Sequence, residues 1–208
     1  AAIVLHSLTK FIGGHGTSIG GIVVDGGNFD WIKNRKRQPL LNEPDQSYGG
    51  AVWTDAVPVL TGANIPFVIR LRVVLLRDTG APLAPFNAWQ IIQGLETVGL
   101  RMKQHCANAE KVVTFLETQK KVKNVIYPTN HQGEIKERAK KYLQGGNGAL
   151  VGADLGTVEA GAKFINNLKM LYHVANIGDA RSLAIHPATT THSQLNDKEL
   201  LAAGVTPG

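Results

Sequence analysis

Two hydroxyl side chains and a lysine lie close together near the start of the sequence. Ser7, Thr9 and Lys10 follow the apolar run 3–5 and precede a segment in which glycine recurs from 13 to 21. In an extended chain, Ser7 and Thr9 point to the same side because side chains alternate with a period of two. Hydroxyls can donate to phosphate oxygens, and a partly desolvated lysine amine can form an imine. These residues suit a cofactor with a phosphate and a carbonyl group; the alternative for Lys10 is an exposed residue at a strand end.

The elements that would position these residues alternate between strands and helices. Residues 1–7 are typical of a buried strand and 22–24 of a second strand, whereas 35–50 resemble a long surface loop. Apolar residues at steps of three and four predict one long helix over 86–117, which Gly94 and Gly99 would kink or interrupt. Shorter elements complete the pattern: helices over 64–77, 134–143 and 157–168, and strands over 122–127, 169–175 and 181–185. This alternation predicts an α/β or α+β fold.

The composition of the chain indicates its size class, its classes of partner and its redox compartment. The chain has 208 residues, enough for one large domain or two small ones, and no apolar run approaches the roughly 20 residues of a membrane span. The net charge of +6 is scattered, apart from the short basic run 35–37, so neither nucleic acid nor a membrane is expected as a partner. The single cysteine, Cys106, excludes a disulfide within the chain and favours the reducing cytoplasm.

Three other motifs point elsewhere, and each has a structural interpretation. Residues 16–20 match the Gly-x-Ser-x-Gly elbow of serine hydrolases around Ser18, but that elbow needs a helix after the serine, and here a strand follows. His186 and His192 are expected to form structural hydrogen bonds rather than to bind a metal. Glu96 and Arg101 are expected to form a salt bridge on the long helix.

The segment 6–16 resembles the lysine signature of the cysteine/methionine-metabolism family of fold-type-I pyridoxal-phosphate enzymes. That signature has Ser-x-Thr-Lys, then an aromatic residue, then a turn rich in glycine and histidine. Further similar segments follow in order at 77–80, 85–88, 93–97, 100–102, 175–183 and 186–193. The resemblance implies an α/β fold of the fold-type-I transferase class. It divides the chain into the end of the large cofactor domain (1–85), a connecting helix (86–117) and a small C-terminal α/β domain (118–208).

The resemblance also implies a cofactor and roles for individual residues. The cofactor is pyridoxal 5'-phosphate, carried by Lys10 and contacted at its phosphate by Ser7 and Thr9. Asn176 corresponds to the position that faces the substrate carboxylate, where many relatives with lyase activity have serine. No metal is implied.

The residues around Asn176 and at 190–192 look more like the sulfhydrylase branch of the family. This implies a γ-replacement in methionine biosynthesis, in which sulfide or a thiol displaces acetate from O-acetylhomoserine and gives homocysteine or methionine. The alternative activities are those of a related transsulfuration enzyme, of the cystathionine γ-synthase or methionine γ-lyase type.

By the same resemblance, the chain is expected to be the C-terminal half of an enzyme. In the family, a tyrosine that stacks on the cofactor, an aspartate that pairs with its ring nitrogen and a phosphate-binding loop all precede the lysine. An arginine for the substrate carboxylate follows the last segment of this sequence. Relatives assemble as tetramers built from dimers, so a homo-oligomer is expected. The alternative is an inactive fragment with only a structural or assembly role.

The strand over 1–7 carries a further expectation. A central strand of a parallel sheet needs partners on both edges to satisfy its backbone groups, and only 22–24 offers a clear neighbour nearby. The other edge is therefore expected to pair with chain from outside these residues.

Overall fold

The structure, a computed structural model, describes residues 1–206 and 208, so Pro207 of the expected C-terminal domain lies outside the described residues. The chain forms two compact units. The first unit contains Ala1–Leu8 and Ile19–Trp89, and the second contains Thr9–Ser18 and Gln90–Gly208. The chain therefore leaves the first unit after Leu8 and returns to it at Ile19, and the segment that carries Lys10 belongs to the second unit.

The first unit contains an antiparallel strand pair. Strands β1 (Ile3–Ser7) and β2 (Gly21–Asp25) pair in a register that runs from Ile3 opposite Asp25 to Ser7 opposite Gly21. The expected strands and their pairing are confirmed, but the two strands are antiparallel where a parallel sheet was expected. The expected burial of the first strand is also wrong, since Leu5 is 71% exposed. Within the described residues β1 pairs only with β2, which leaves its second edge without a strand.

Helices and tight turns complete the first unit. Helix α1 spans Pro39–Asn42 and α2 spans Trp53–Thr61; α3 (Pro66–Arg70) continues through a π-helical stretch (Leu71–Leu76) into α4 (Arg77–Thr79). The helix expected over 64–77 is thus confirmed, and the region expected as a loop contains α1 and two 3₁₀ turns, Arg35–Arg37 and Gln46–Tyr48. The buried core consists of Trp31, Leu41, Trp53 and Val57.

No single helix in the described part of the chain is both long and apolar enough to cross a membrane. One bent pair, Trp53–Thr61 with Pro66–Thr79, meets the length and composition limits together but turns by 99°.

The long helix expected over 86–117 is two helices. Helix α5 (Pro85–Glu96) begins in the first unit and enters the second at Gln90, and α6 spans Val98–Glu117. The break falls at Thr97, whose φ of −106° and ψ of 0° are not helical, rather than at either glycine. The Gly94 carbonyl accepts hydrogen bonds from the Thr97 N–H and the Thr97 hydroxyl, both at 3.3 Å, and a bond closing over three residues is common at a helix end.

The rest of the second unit is mixed helix and strand. Two strand pairs are formed, β3 (Asn124–Ile126) antiparallel to β4 (Gly152–Asp154) and β5 (Tyr172–His173) parallel to β6 (Leu183–Ala184). Three helices accompany them: α7 (Gly133–Tyr142), α8 (Val158–Asn166) and α9 (Asp197–Ala202). The buried core here consists of Ala109, Val113, Val125 and Tyr127. Ala109 and Val113 lie in the second half of the helix predicted over 86–117, so its apolar residues pack inward there. The expected helices over 134–143 and 157–168 are confirmed to within two residues, and β3 lies within the strand expected over 122–127. The strands expected over 169–175 and 181–185 are present only as the two-residue strands β5 and β6.

Candidate functional site

The backbone turns sharply at the residues that the sequence singles out. Ser7 is the last residue of β1, and the chain leaves the extended conformation at Leu8. The segment Leu8–Ile12 is a tight helical turn that is interrupted at Lys10, where φ is −89° and ψ is −124°. Thr9 therefore lies in a turn and not in a strand. The expectation that the chain is extended through both Ser7 and Thr9 is wrong, because the strand ends between them, so strand alternation does not apply to this pair.

The structure brings two predicted site residues together. The amine Nζ of Lys10 donates to the amide oxygen Oδ1 of Asn176 over 3.4 Å, although 166 positions separate them in sequence. This contact lies within the second unit and is partly buried. Lys10 forms no salt bridge with any residue that the structure describes. Its hydrogen-bond partner is a neutral amide rather than a carboxylate.

Asn176 is itself held by a buried carboxylate. Its amide nitrogen Nδ2 donates to Asp179 Oδ2 over 3.0 Å. Asp179 also accepts three hydrogen bonds from Arg181: the backbone N–H at 2.9 Å and Nε at 3.0 Å bind Oδ1, and Nη2 at 2.9 Å binds Oδ2. The Arg181 guanidinium, with further help from the Arg181 N–H and the Asn176 amide, holds the pKa of Asp179 far below its usual value, so the carboxylate is charged.

Arg101 clamps the backbone directly after Lys10. Its Nη1 donates to the Phe11 carbonyl over 2.7 Å, and its Nη2 donates to the carbonyls of Ile12, over 3.0 Å, and Gly94, over 2.7 Å. The guanidinium thus joins the turn after Lys10 to the last turn of α5. Its burial lowers the pKa of Arg101.

The expected salt bridge between Glu96 and Arg101 is wrong. No ion pair joins these two described residues, because three backbone carbonyls converge on the guanidinium and use its hydrogen-bond donors. The remaining Nε donates to the Thr97 hydroxyl over 3.2 Å. A rigid fork of five N–H groups suits such a set of acceptors, which one ammonium could not serve.

Two glycines allow other backbone to approach the Lys10 turn closely. A β-carbon at Gly94 would overlap the carbonyl oxygen of Gly13 and lie 2.7 Å from its carbonyl carbon. At Gly178, where φ is +84°, a β-carbon would lie 2.6 Å from the backbone nitrogen of Phe11. Only glycine fits both positions without moving the chain.

The residues that sequence reasoning missed are Arg101 and Asp179. Both lie in segments that resemble the family, 100–102 and 175–183, but the local pattern gives neither residue a role at the site. Gly94 and Gly178 were the sequence features that could have indicated this close packing, since a glycine inside a helix or a tight segment often marks close approach of another backbone.

The other candidate motifs have structural roles. Ser18 is buried and its Oγ donates to Gln90 Oε1 over 2.6 Å, and strand β2 follows, so the segment lacks the geometry of a hydrolase elbow. His186 bonds through Nδ1 to the Thr189 hydroxyl, and His192 to the Thr191 hydroxyl, both over 2.9 Å. The expectation that these histidines form structural hydrogen bonds is confirmed.

A lysine amine beside a glycine-rich turn fits a pyridoxal-type cofactor. Comparison with known proteins supports a pyridoxal-phosphate-dependent class of enzyme. Residues 1–208 match the family described as Cys/Met metabolism PLP-dependent enzymes, and the chain belongs to this family. A relative of Leptospira meyeri named O-acetyl-L-homoserine sulfhydrylase is 50% identical over 213 residues, which cover 100% of this chain and 48% of that protein. The chain spans about half the length of the curated relatives it matches.

Solved structures agree with this assignment. The crystal structure of a protein described as an O-acetylhomoserine (thiol)-lyase from Campylobacter jejuni subsp. jejuni contains N'-pyridoxyl-lysine-5'-monophosphate. It is 38% identical with a TM-score of 0.87, and the match covers 100% of this chain and 48% of that one. The cystathionine gamma synthase of Xanthomonas oryzae pv. oryzae is 26% identical with a TM-score of 0.69, with 100% and 44% covered. The predicted fold-type-I class and the pyridoxal 5'-phosphate cofactor are both confirmed.

Proposed function

We propose that the complete protein containing this chain is a pyridoxal-phosphate transferase of methionine biosynthesis. It replaces the acetate of O-acetyl-L-homoserine with sulfide, giving L-homocysteine, or with a thiol such as methanethiol, giving methionine. The observation that carries the proposal is the Lys10 amine beside the neutral Asn176 amide, on a turn clamped by Arg101, in a chain with this family membership.

Each predicted site residue has a separate task in this proposal. Pyridoxal phosphate, when bound, supplies a ring that withdraws electrons from the substrate carbon next to the amino group. Lys10 anchors the cofactor through its amine and afterwards moves protons between the substrate carbons. Ser7 and Thr9 donate hydrogen bonds to the phosphate. Asn176 lies beside Lys10 and contributes to the part of the site that faces the substrate carboxylate.

The sulfhydrylase activity is favoured over the related transsulfuration activities. The relative named as a sulfhydrylase is 50% identical to this chain, against 26% for the cystathionine gamma synthase. Asn176 supports the same choice, because the resemblance associates serine at this position with lyase activity. The competing proposal is that the 208 residues have only a structural or assembly role. Measuring the activity of the complete protein distinguishes the two proposals.

We further propose a cytoplasmic homotetramer built from dimers. An apolar face on α5 supports assembly, since Phe86 is 64% exposed and Trp89 is 55% exposed. Side chains of this size are usually covered in an assembly when they form a contiguous patch. The single cysteine is compatible with a reducing compartment.

The assignment of Lys10 is tested by chemical trapping in the complete protein. Borohydride reduction followed by peptide mapping should place a pyridoxyl group on the peptide that contains Ser7 to Phe11. Lys10→Ala should abolish both the adduct and the turnover of O-acetylhomoserine with sulfide, whereas the matched control Lys33→Ala, at an exposed position, should retain both. An adduct confined to Lys33 or Lys36 would refute the assignment.

The same preparation tests the activity. Turnover of O-acetylhomoserine with sulfide should exceed turnover of cystathionine or methionine as a substrate for cleavage. Residues 1–208 expressed alone should show no sulfhydrylase activity, because the family partners of the cofactor ring are expected upstream. Turnover by this isolated chain would contradict that expectation.

A further inference from the structure

The orientation of the Asn176 side chain is constrained by its neighbours. A carboxamide has an acceptor oxygen on one side and a donor nitrogen on the other, and the two ends have almost the same shape. Packing alone therefore selects poorly between the two orientations. Here the oxygen faces the Lys10 amine and the nitrogen faces Asp179.

Asp179 can make that selection because it is charged and buried. An ionised carboxylate only accepts hydrogen bonds, and the Asp179 side chain is 1% exposed. Turning the Asn176 amide over would bring its oxygen against Asp179 Oδ2, which accepts from the amide nitrogen at 3.0 Å, and would bring its NH₂ group against the Lys10 amine. The contact with Asp179 would then be unfavourable, because two hydrogen-bond acceptors would face each other.

The Asp179 carboxylate is in turn fixed by Arg181. Each of its oxygens accepts two hydrogen bonds, and three of the four come from Arg181. Gly16, with φ of +65°, lies against the same amide, since a β-carbon there would be 2.8 Å from Asn176 Nδ2. Asn176, Asp179 and Arg181 therefore form one hydrogen-bonded group, with Gly16 lying against its amide.

We propose that Asp179 is a positioning residue that acts on Lys10 through Asn176. It holds the amide oxygen of Asn176 toward the Lys10 amine, and one N–H of the amine then donates to that oxygen. When the amine is unprotonated, its nitrogen lone pair is thereby directed away from Asn176. This arrangement prepares the amine to attack the cofactor aldehyde, a step in which a carbon–nitrogen double bond forms and water leaves. The inference rests on the proposed role of Lys10 as the cofactor-bearing lysine.

A double-mutant cycle tests this role. The complete protein is freed of cofactor, pyridoxal 5'-phosphate is added, and the rate of its bond formation with the protein is followed by stopped-flow absorbance. Asp179→Asn, Asn176→Ala and the double variant are compared with the parent. Because residues in direct contact commonly couple by enough to change a rate several-fold, we expect Asp179→Asn to slow the step by roughly 5-fold. We expect the double variant to be no slower than Asn176→Ala.

Control variants distinguish a specific effect of Asp179 from a general effect of lost charge or lost folding. Asp197→Asn makes the same chemical change at an exposed position of α9 and should leave the rate unchanged. If Asp179→Asn does not fold, as judged by circular dichroism, Asp179→Ser replaces it in the cycle. Equal slowing by the Asp179 change with and without the Asn176 side chain, or no slowing at all, would overturn the proposal. A pyridoxyl adduct that maps away from Lys10 would instead overturn the proposed function, so the two failures are distinguishable.

Discussion

Gly94→Ala provides a direct test of how the Lys10 turn is held. In an exposed helix this change stabilises by about 1 kcal/mol, because alanine has the higher helix propensity. At Gly94 the new β-carbon would overlap the carbonyl oxygen of Gly13 and would lie 2.7 Å from the carbonyl oxygen of Ile12. Both neighbours are backbone atoms and cannot move aside as a flexible side chain would. The turn must therefore shift away from α5 by about 1 Å to restore ordinary contact distances.

Such a shift would break hydrogen bonds that Arg101 makes to the turn. Arg101 donates to the carbonyls of Phe11 and Ile12 over 2.7 and 3.0 Å. Hydrogen bonds to charged groups contribute roughly 1.5 to 3 kcal/mol each, which exceeds the gain in helix propensity. We expect Gly94→Ala to lower the free energy of unfolding by roughly 2 to 5 kcal/mol. A displacement of about 1 Å at Lys10 should also reduce kcat/KM by on the order of 100-fold.

The assay compares Gly94→Ala with Gly99→Ala in the complete protein, using urea denaturation and turnover of O-acetylhomoserine with sulfide. A β-carbon at Gly99 meets nothing within 4 Å, so this control should gain up to about 1 kcal/mol and keep its activity. If Gly94→Ala is as stable and as active as Gly99→Ala, the close packing of α5 on the Lys10 turn is refuted.

Three further changes have defined outcomes. Arg101→Lys keeps the charge but loses the fork of hydrogen-bond donors, so hydrogen exchange of the backbone amides in 11–14 should accelerate. The control Lys103→Ala, on the same helix, should leave this exchange unchanged. If the amides are as well protected in Arg101→Lys as in the parent, the contacts of Arg101 are not needed to hold the turn. The pKa of Asp179 lies below its usual 3.8 in the folded chain, so its stabilising contribution is complete above that pH and is lost as the pH falls toward the folded value. Urea denaturation between pH 5 and 2.5 should therefore give a shallower pH dependence for Asp179→Asn than for the parent, and parallel curves would contradict this sign. Asn196→Ala removes the capping box at the start of α9 and should lower the free energy of unfolding by about 1 kcal/mol, measured by thermal denaturation, without changing kcat. An unchanged melting temperature would contradict this role of the cap.

Short-range patterns in the sequence were sufficient for much of the fold. Helix α8 and strand β3 were expected from residue spacing, and the pairing of β1 with β2 from their closeness in sequence. These elements depend on side-chain periodicity and hydrogen bonds to near neighbours, which neighbouring residues specify. Lys10 was selected in the same way, from adjacent hydroxyls, the glycine-rich segment after it and the ordered motifs of a family.

The tertiary structure decided how these pieces meet. The helix break at Thr97 depends on hydrogen bonds to the Gly94 carbonyl, and apolar periodicity carries no information about them. Arg101 binds carbonyls about 90 positions away, where sequence spacing suggested Glu96 as its partner. Asn176 reaches Lys10, 166 positions away in sequence, only because the second unit brings these parts of the chain together, and Asp179 contacts Asn176 there. Which donor meets which acceptor is set by the three-dimensional path of the backbone, and residue types along the chain do not encode that path locally.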